Sequence, residues 1–161
     1  MVKVKVGSTE KEYTSKTTLY EIAKDFKNQY SNDIVLAECD GVLCELSKKI
    51  DEDCEVKFIT TDTKIGNDCY KRSMTFLMMK AFYKVCGGEN IEKISVQYSV
   101  SKGYFCRIYG DVTVTQKLLD SVEAEMRGLV EKDVLITKES LPTDEAIKLF
   151  GELGMYDKEN L

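Results

Sequence analysis

The sequence predicts an α+β chain built from two small modules in tandem. Three observations carry that expectation. Short alternating strand patterns crowd Val2 to Ile59 around one amphipathic helix. A longer apolar stripe then recurs from Gly66 to Val85. Beyond it lie an aromatic hairpin pattern and two more amphipathic segments. A chain of 161 residues with 43% apolar content has room for one ordinary domain or two small ones.

In the first module, Val2, Val4 and Val6 alternate with Lys3 and Lys5, as in a strand with one buried face. Gly7-Ser8 turns the chain into a second strand around Glu10 to Thr14. Thr18 and Glu21 have the spacing of a capping box, and Leu19, Ile22, Ala23 and Phe26 share one helical face. After Ser31-Asn32-Asp33, the run Ile34 to Ala37 meets Asp40-Gly41, a strong two-residue hairpin signal, and continues as Val42 to Leu46. Cys54, Val56 and Phe58 alternate in a last strand. One helix covering a small sheet in that order fits a β-grasp fold.

Polar Thr60 to Ile65 marks a boundary, giving modules 1–62 and 63–161. Tyr70, Met74, Leu77, Met78, Ala81, Phe82 and Val85 recur at three- and four-residue steps on the long helix. Asn67 or Asp68 can cap its start and Gly87-Gly88 its end. Ile94, Val96, Tyr98 and Val100 alternate, Ser101-Lys102-Gly103 turns, and Tyr104 to Tyr109 returns. Leu118, Leu119, Val122, Met126, Leu129 and Val130 line another helix, and Val134 to Thr137 reads as a short strand. Pro142 opens a final helix carrying Ala146, Leu149, Phe150 and Leu153, which Gly154 stops.

Composition removes several chemistries. The chain has no histidine, which excludes His-based acid-base catalysis, Ser-His triads and mixed Cys/His zinc sites. Its net charge of -5 argues against indiscriminate phosphate binding, and acidic residues outnumber basic ones on both sides of Thr63. No apolar run approaches the ~18 residues of a membrane span, and Val2 to Val6 is too short and lysine-spaced for a signal peptide. Six cysteines without close pairs read as free thiols in a reducing cytoplasm.

Two family resemblances extend this reading. Through TTLYEIAKDF and VLAECDGVLCELSKKIDEDCEVKFI, residues 2–59 resemble the TGS domain, a ubiquitin-like module of threonyl-tRNA synthetases and some GTPases. The remainder resembles the second additional domain of threonyl- and alanyl-tRNA synthetases, ending before that domain is complete. There the long helix bears H-S-x-x-H at the editing centre. Aligned on KRSMTFLMMKAF, Ser73, Leu77 and Ala81 are kept, while Arg72 and Phe76 replace the two histidines. The family's G-F-Y-Y-D-F strand becomes Gly103 to Ile108, with Arg107 in place of the acid. Arginine holds its proton and phenylalanine has no lone pair, so neither can bind metal or shuttle protons.

A TGS domain followed by a histidine-free editing-like domain is similar to the front half of bacterial uridine kinase-like proteins. That resemblance implies a non-catalytic ligand-sensing or positioning region, partnered by a downstream kinase domain of the same protein. The chain has no G-x-x-x-x-G-K-[ST], so ATP and magnesium are expected only for the parent kinase domain, and no cofactor or metal for this chain. The alternative is a tRNA-binding fragment related to threonyl-tRNA synthetase. A third reading is a protein-interaction module using an exposed sheet edge.

The resemblance places the pocket between the long helix and the hairpin, so Arg72, Phe76, Tyr104 and Arg107 are the candidate ligand-binding residues. Two arginines favour a phosphate or carboxylate; the competing reading has Phe76 filling the old cleft and Arg72 solvated. Tyr104, Phe105 and Tyr109 can stack bases, or two of them can pack into the core. Asp51-Glu52-Asp53 reads as a solvated turn in preference to an ion site.

Overall fold

A computed structural model shows an α+β chain with a mixed sheet, and it describes residues 1–101, 103–155 and 158. Lys102 in the expected hairpin turn and most of the residues after Met155 lie outside the described residues. The chain divides into two compact units, Met1–Met74 and Thr75–Leu161. Among the described residues, no helix is long and apolar enough to cross a membrane.

The first unit is a β-grasp. Strands β1 (Val2–Val6), β2 (Thr9–Tyr13), β4 (Ile34–Cys39), β5 (Val42–Glu45) and β7 (Cys54–Thr60) form one sheet in the order β2-β1-β7-β4-β5. The central pair β1–β7 is parallel and its neighbours antiparallel. Two-residue strands β3 (Thr17–Thr18) and β6 (Lys49–Ile50) form a separate small ladder. Helix α1 (Leu19–Phe26) starts at the expected capping box, with Thr18 Oγ1 accepting the Glu21 amide at 3.2 Å and Glu21 accepting the Thr18 amide at 2.9 Å. Its buried Leu19, Ile22, Ala23 and Phe26 meet Val2, Val4, Val6, Ala37, Val56 and Phe58 of the sheet. Asp40 and Gly41 both take positive φ (48° and 80°), as a tight hairpin turn requires. The Asp40 carboxylate also accepts the Glu55 amide at 2.8 Å, tying the turn to β7.

Of the acidic turn, Asp53 accepts the Lys3 amide at 2.8 Å and Asp51 accepts the Ser15 hydroxyl at 3.3 Å. Those bonds tie the turn to β1 and to the segment between β2 and β3.

The six cysteines are free thiols. Strand register sets Cys44, Cys39 and Cys54 in a diagonal row across β5, β4 and β7. Burial pushes the Cys39 thiol up to about 12, and the neighbouring Cys44 and Cys54 thiols add to the shift. An unfolded thiol loses its proton near about 8.5. The folded chain therefore holds a proton that the unfolded chain releases, so this contribution is complete below that pH and is lost as pH rises toward 12. Tyr13, raised by burial and by its hydrogen bond to Asp25, acts in the same direction. The urea midpoint of this unit is expected to fall between about pH 8.5 and 10.5, and Cys39→Val should flatten the fall. Equal slopes in the two proteins would remove Cys39 as its cause.

Helix α2 (Lys64–Cys86) begins two residues before Gly66, where the sequence pattern starts. Thr63, rather than Asn67 or Asp68, caps it: its hydroxyl accepts the Gly66 amide at 3.1 Å and donates to the Thr60 carbonyl at 2.9 Å. Tyr70, placed on the apolar stripe by its spacing, is exposed.

In the second unit, Ala81 and Phe82 of α2 pack with Ile91 and Ile94 of β8 (Ile91–Val100) and Val122 of α3 (Gln116–Glu131). Strand β9 (Gly103–Gly110) pairs antiparallel with β8 and adds Ile108 to this core. Lys84 reaches Glu125 of α3 at 2.8 Å. Leu118, Val122, Met126 and Leu129 face inward as predicted, whereas Leu119 and Val130 are exposed.

Val134 to Thr137 is not a strand. Asp133, at φ 47°, closes α3, and the amides of Asp133 and Val134 bond back to Val130 and Leu129 at 2.9 and 3.3 Å. The apolar run begins as part of a helix cap and finds no partner strand among the described residues. Helix α4 (Thr143–Glu152) ends similarly, with Gly154 at φ 68° and Met155 bonding back to Phe150 at 2.9 Å.

Candidate functional site

The hairpin of the second unit has two unlike faces because β9 alternates regularly. Cys106 and Ile108 turn toward the helices with Ile94 and Val96 of β8. Phe105, Arg107 and Tyr109 have the opposite parity and lie on the outer face. On β8 the alternation breaks. A register shift between Val96 and Tyr98 moves Tyr98 off the core side and sets it opposite Phe105. The two rings stack with centroids 5.2 Å apart and planes 16° from parallel.

The Arg107 guanidinium carbon sits 5.9 Å from the ring centroids of both Phe105 and Tyr109. One terminal nitrogen reaches the Tyr109 hydroxyl at 3.5 Å. Ser95 stands opposite Arg107, and Lys93 opposite Tyr109.

These positions change the reading of the aromatic residues. Tyr104, Phe105 and Tyr109 are 47%, 38% and 37% exposed, so none has packed into the core, and Tyr98 is 57% exposed. Tyr98 was the residue that sequence reasoning missed. Period-two alternation placed it with Ile94 and Val96, and a bulge leaves no residue signature to correct that.

Of the four candidate residues, Arg72 belongs to the first unit and Phe76, Tyr104 and Arg107 to the second. Arg72 is an exposed α2 residue of the first unit. Phe76, in the second unit, is 59% exposed, so it fills no core. Tyr104 and Arg107 are three residues apart on an uninterrupted strand and hence on opposite faces of the hairpin. That separation removes a small anion pocket shared by Tyr104 and Arg107. Arg107 has aromatic neighbours instead.

Beside Tyr109 a groove of about 960 Å³ runs between the start of β8 and the end of α4. Glu89, Glu92 and Glu152 line it together with Lys93, so it suits hydrogen-bond donors better than phosphate. A smaller cleft of about 420 Å³ in the first unit is lined by Glu38, Asp40 and Glu55 with Lys57, again mostly carboxylates.

No family model matches the chain. Among curated proteins it is similar to threonine–tRNA ligases. It is 30% identical to that of Fusobacterium nucleatum over 135 residues, 84% of this chain. It is 28% identical to that of Clostridium botulinum over 148 residues, 92% of this chain. With that of Carboxydothermus hydrogenoformans the identity is 28% over 162 aligned residues, the whole of this chain. The chain spans only 21% to 25% of the length of these relatives. The similarities favour the tRNA-synthetase alternative over the kinase reading. Nothing in them speaks for a uridine kinase parent or a kinase-domain partner.

Proposed function

We propose that this chain is a non-catalytic tRNA-binding module related to part of the threonine–tRNA ligases, working in the cytoplasm where tRNA is charged. The observation that carries the reading is continuous similarity to those ligases across both compact units. The long helix has Arg72 and Phe76 where the editing resemblance expects histidines, and the chain has no histidine to replace them. Binding and positioning are the roles these side chains can serve. The exposed cation and rings of the hairpin offer RNA a charge and flat apolar surfaces together.

The test is fluorescence anisotropy with labelled bulk tRNA at two salt concentrations. Binding in about the micromolar range is expected, with a shallow salt dependence because an acidic chain neutralises few phosphates. Absence of tRNA binding at low salt would overturn the proposal. In the same sample, ATP and uridine are expected to leave the melting temperature unchanged. A ligand-induced rise with either would bring the kinase reading back.

A further inference from the structure

The outer face of the β8–β9 hairpin is chemically selective. Its rings are exposed, Tyr98 stacked on Phe105, and Phe105 and Tyr109 lie on either side of Arg107. Phe105 and Tyr109, four residues apart on the strand, stand about 13–14 Å apart, far enough for the Tyr98–Phe105 pair and Tyr109 each to meet a separate planar group. Among the described residues Arg107 forms no ion pair, and neither does Lys93. Glu92 is the one acidic residue in the two strands, and it lies where the register shifts between Ile91 and Lys93. Lys93 shares the groove with Glu89, Glu92 and Glu152, so the positive charge among the exposed rings is that of Arg107.

The complementary partner carries negative charge and accessible planar rings at once. Single-stranded RNA has both, while a paired stem hides the ring faces inside its stack. We infer that Tyr98, Phe105, Arg107 and Tyr109 form a stacking platform for unpaired RNA bases. The inference rests on the tRNA-binding reading for its choice of RNA, and it restricts contact to unpaired segments. Arg107 pairs with a phosphate while the rings stack on bases. The carboxylate-lined groove beside Tyr109 repels the backbone, so the strand leaves the platform on the Tyr98 side.

The full chain can be titrated with an unstructured RNA of about 12 nucleotides and with a blunt duplex of the same sequence. The chain has no tryptophan, so its emission comes from nine tyrosines, of which Tyr98 and Tyr109 belong to the platform, and stacking there is read as the part of the quench that Tyr98→Leu removes. The single strand should quench that emission and the duplex should not. Phe105→Leu and Tyr98→Leu keep apolar bulk but remove the ring. Each should weaken single-strand binding at least about fivefold while the melting temperature holds. Arg107→Ala should lower the slope of log affinity against log salt by about one.

Equal binding of single strand and duplex would overturn the platform, as would leucine variants that bind like the parent. If the leucine variants fail to fold, Arg107→Ala decides: unchanged single-strand affinity removes the site. Self-association abolished by Phe105→Leu, with no RNA binding, would assign the face to a second copy and also overturn it. Binding of tRNA without quenching by the single strand would remove the platform alone. Failure to bind tRNA would remove the broader function.

Discussion

Phe26→Ala is expected to destabilise the β-grasp unit by about 3–5 kcal/mol, the usual cost of removing a fully buried ring. Phe26 ends the inward face of α1 and is among the largest fully buried side chains of the chain. Its ring lies 6.1 Å from that of Phe58, which in turn meets Tyr30 edge-on at 6.1 Å. Lys11 covers its outer side, with the ammonium 4.9 Å from the ring centroid. Small domains have only about 5–15 kcal/mol of total stability, so this one change should bring the unit close to unfolding at room temperature. Urea titration followed by far-ultraviolet dichroism measures the loss, and Phe26→Leu should recover most of it. A loss below about 1 kcal/mol would mean that the helix is not held mainly by this ring.

Gly66→Ala should be nearly as damaging, by about 2–5 kcal/mol, although alanine is the better helix former. A Cβ on Gly66 would come within 2.8 Å of the Thr60 carbonyl carbon and collide with its oxygen. It would also lie 3.0 Å from the Thr63 hydroxyl that caps α2. Backbone cannot swing aside as a side chain can, so relief means moving the helix start and weakening its cap. Gly128 of α3 provides the control. Nothing lies within 4 Å of a Cβ there, so Gly128→Ala should stabilise by up to about 1 kcal/mol. Calorimetry of the two variants should therefore show shifts of opposite sign. A stabilised Gly66→Ala protein would show that the close approach between helix and turn is not maintained in solution.

Much of the first unit was legible because its signals are local. The Thr18–Glu21 capping box needs only residues three apart, and the Asp40-Gly41 turn only two. Signals that depend on distant partners were harder to read. The start of α2 was misplaced because Thr63 gains its role from the Thr60 carbonyl as well as from the helix amides. Val134 to Thr137 has strand-like composition but no strand beside it among the described residues. At the candidate site, residue types were more informative than their grouping. Arg107 and the aromatic residues were singled out, yet alternation along β9 separates Tyr104 from Arg107, and the β8 bulge brings in Tyr98.

The parallel pairing of β1 with β7 bears on how the protein is made. Val4 lies beside Cys54 and Lys5 beside Glu55, so the first strand waits about 50 residues for its central partner. As the chain leaves the ribosome, β1 has only β2 to pair with, and the apolar face of α1 has half a sheet to cover. At about 5–20 residues per second that interval lasts roughly 3–10 s. During it Leu19, Ile22 and Phe26 are open to chaperones or to neighbouring nascent chains. Emergence of Cys54–Thr60 supplies the missing middle strand, so the β-grasp is expected to close late and as one unit during synthesis.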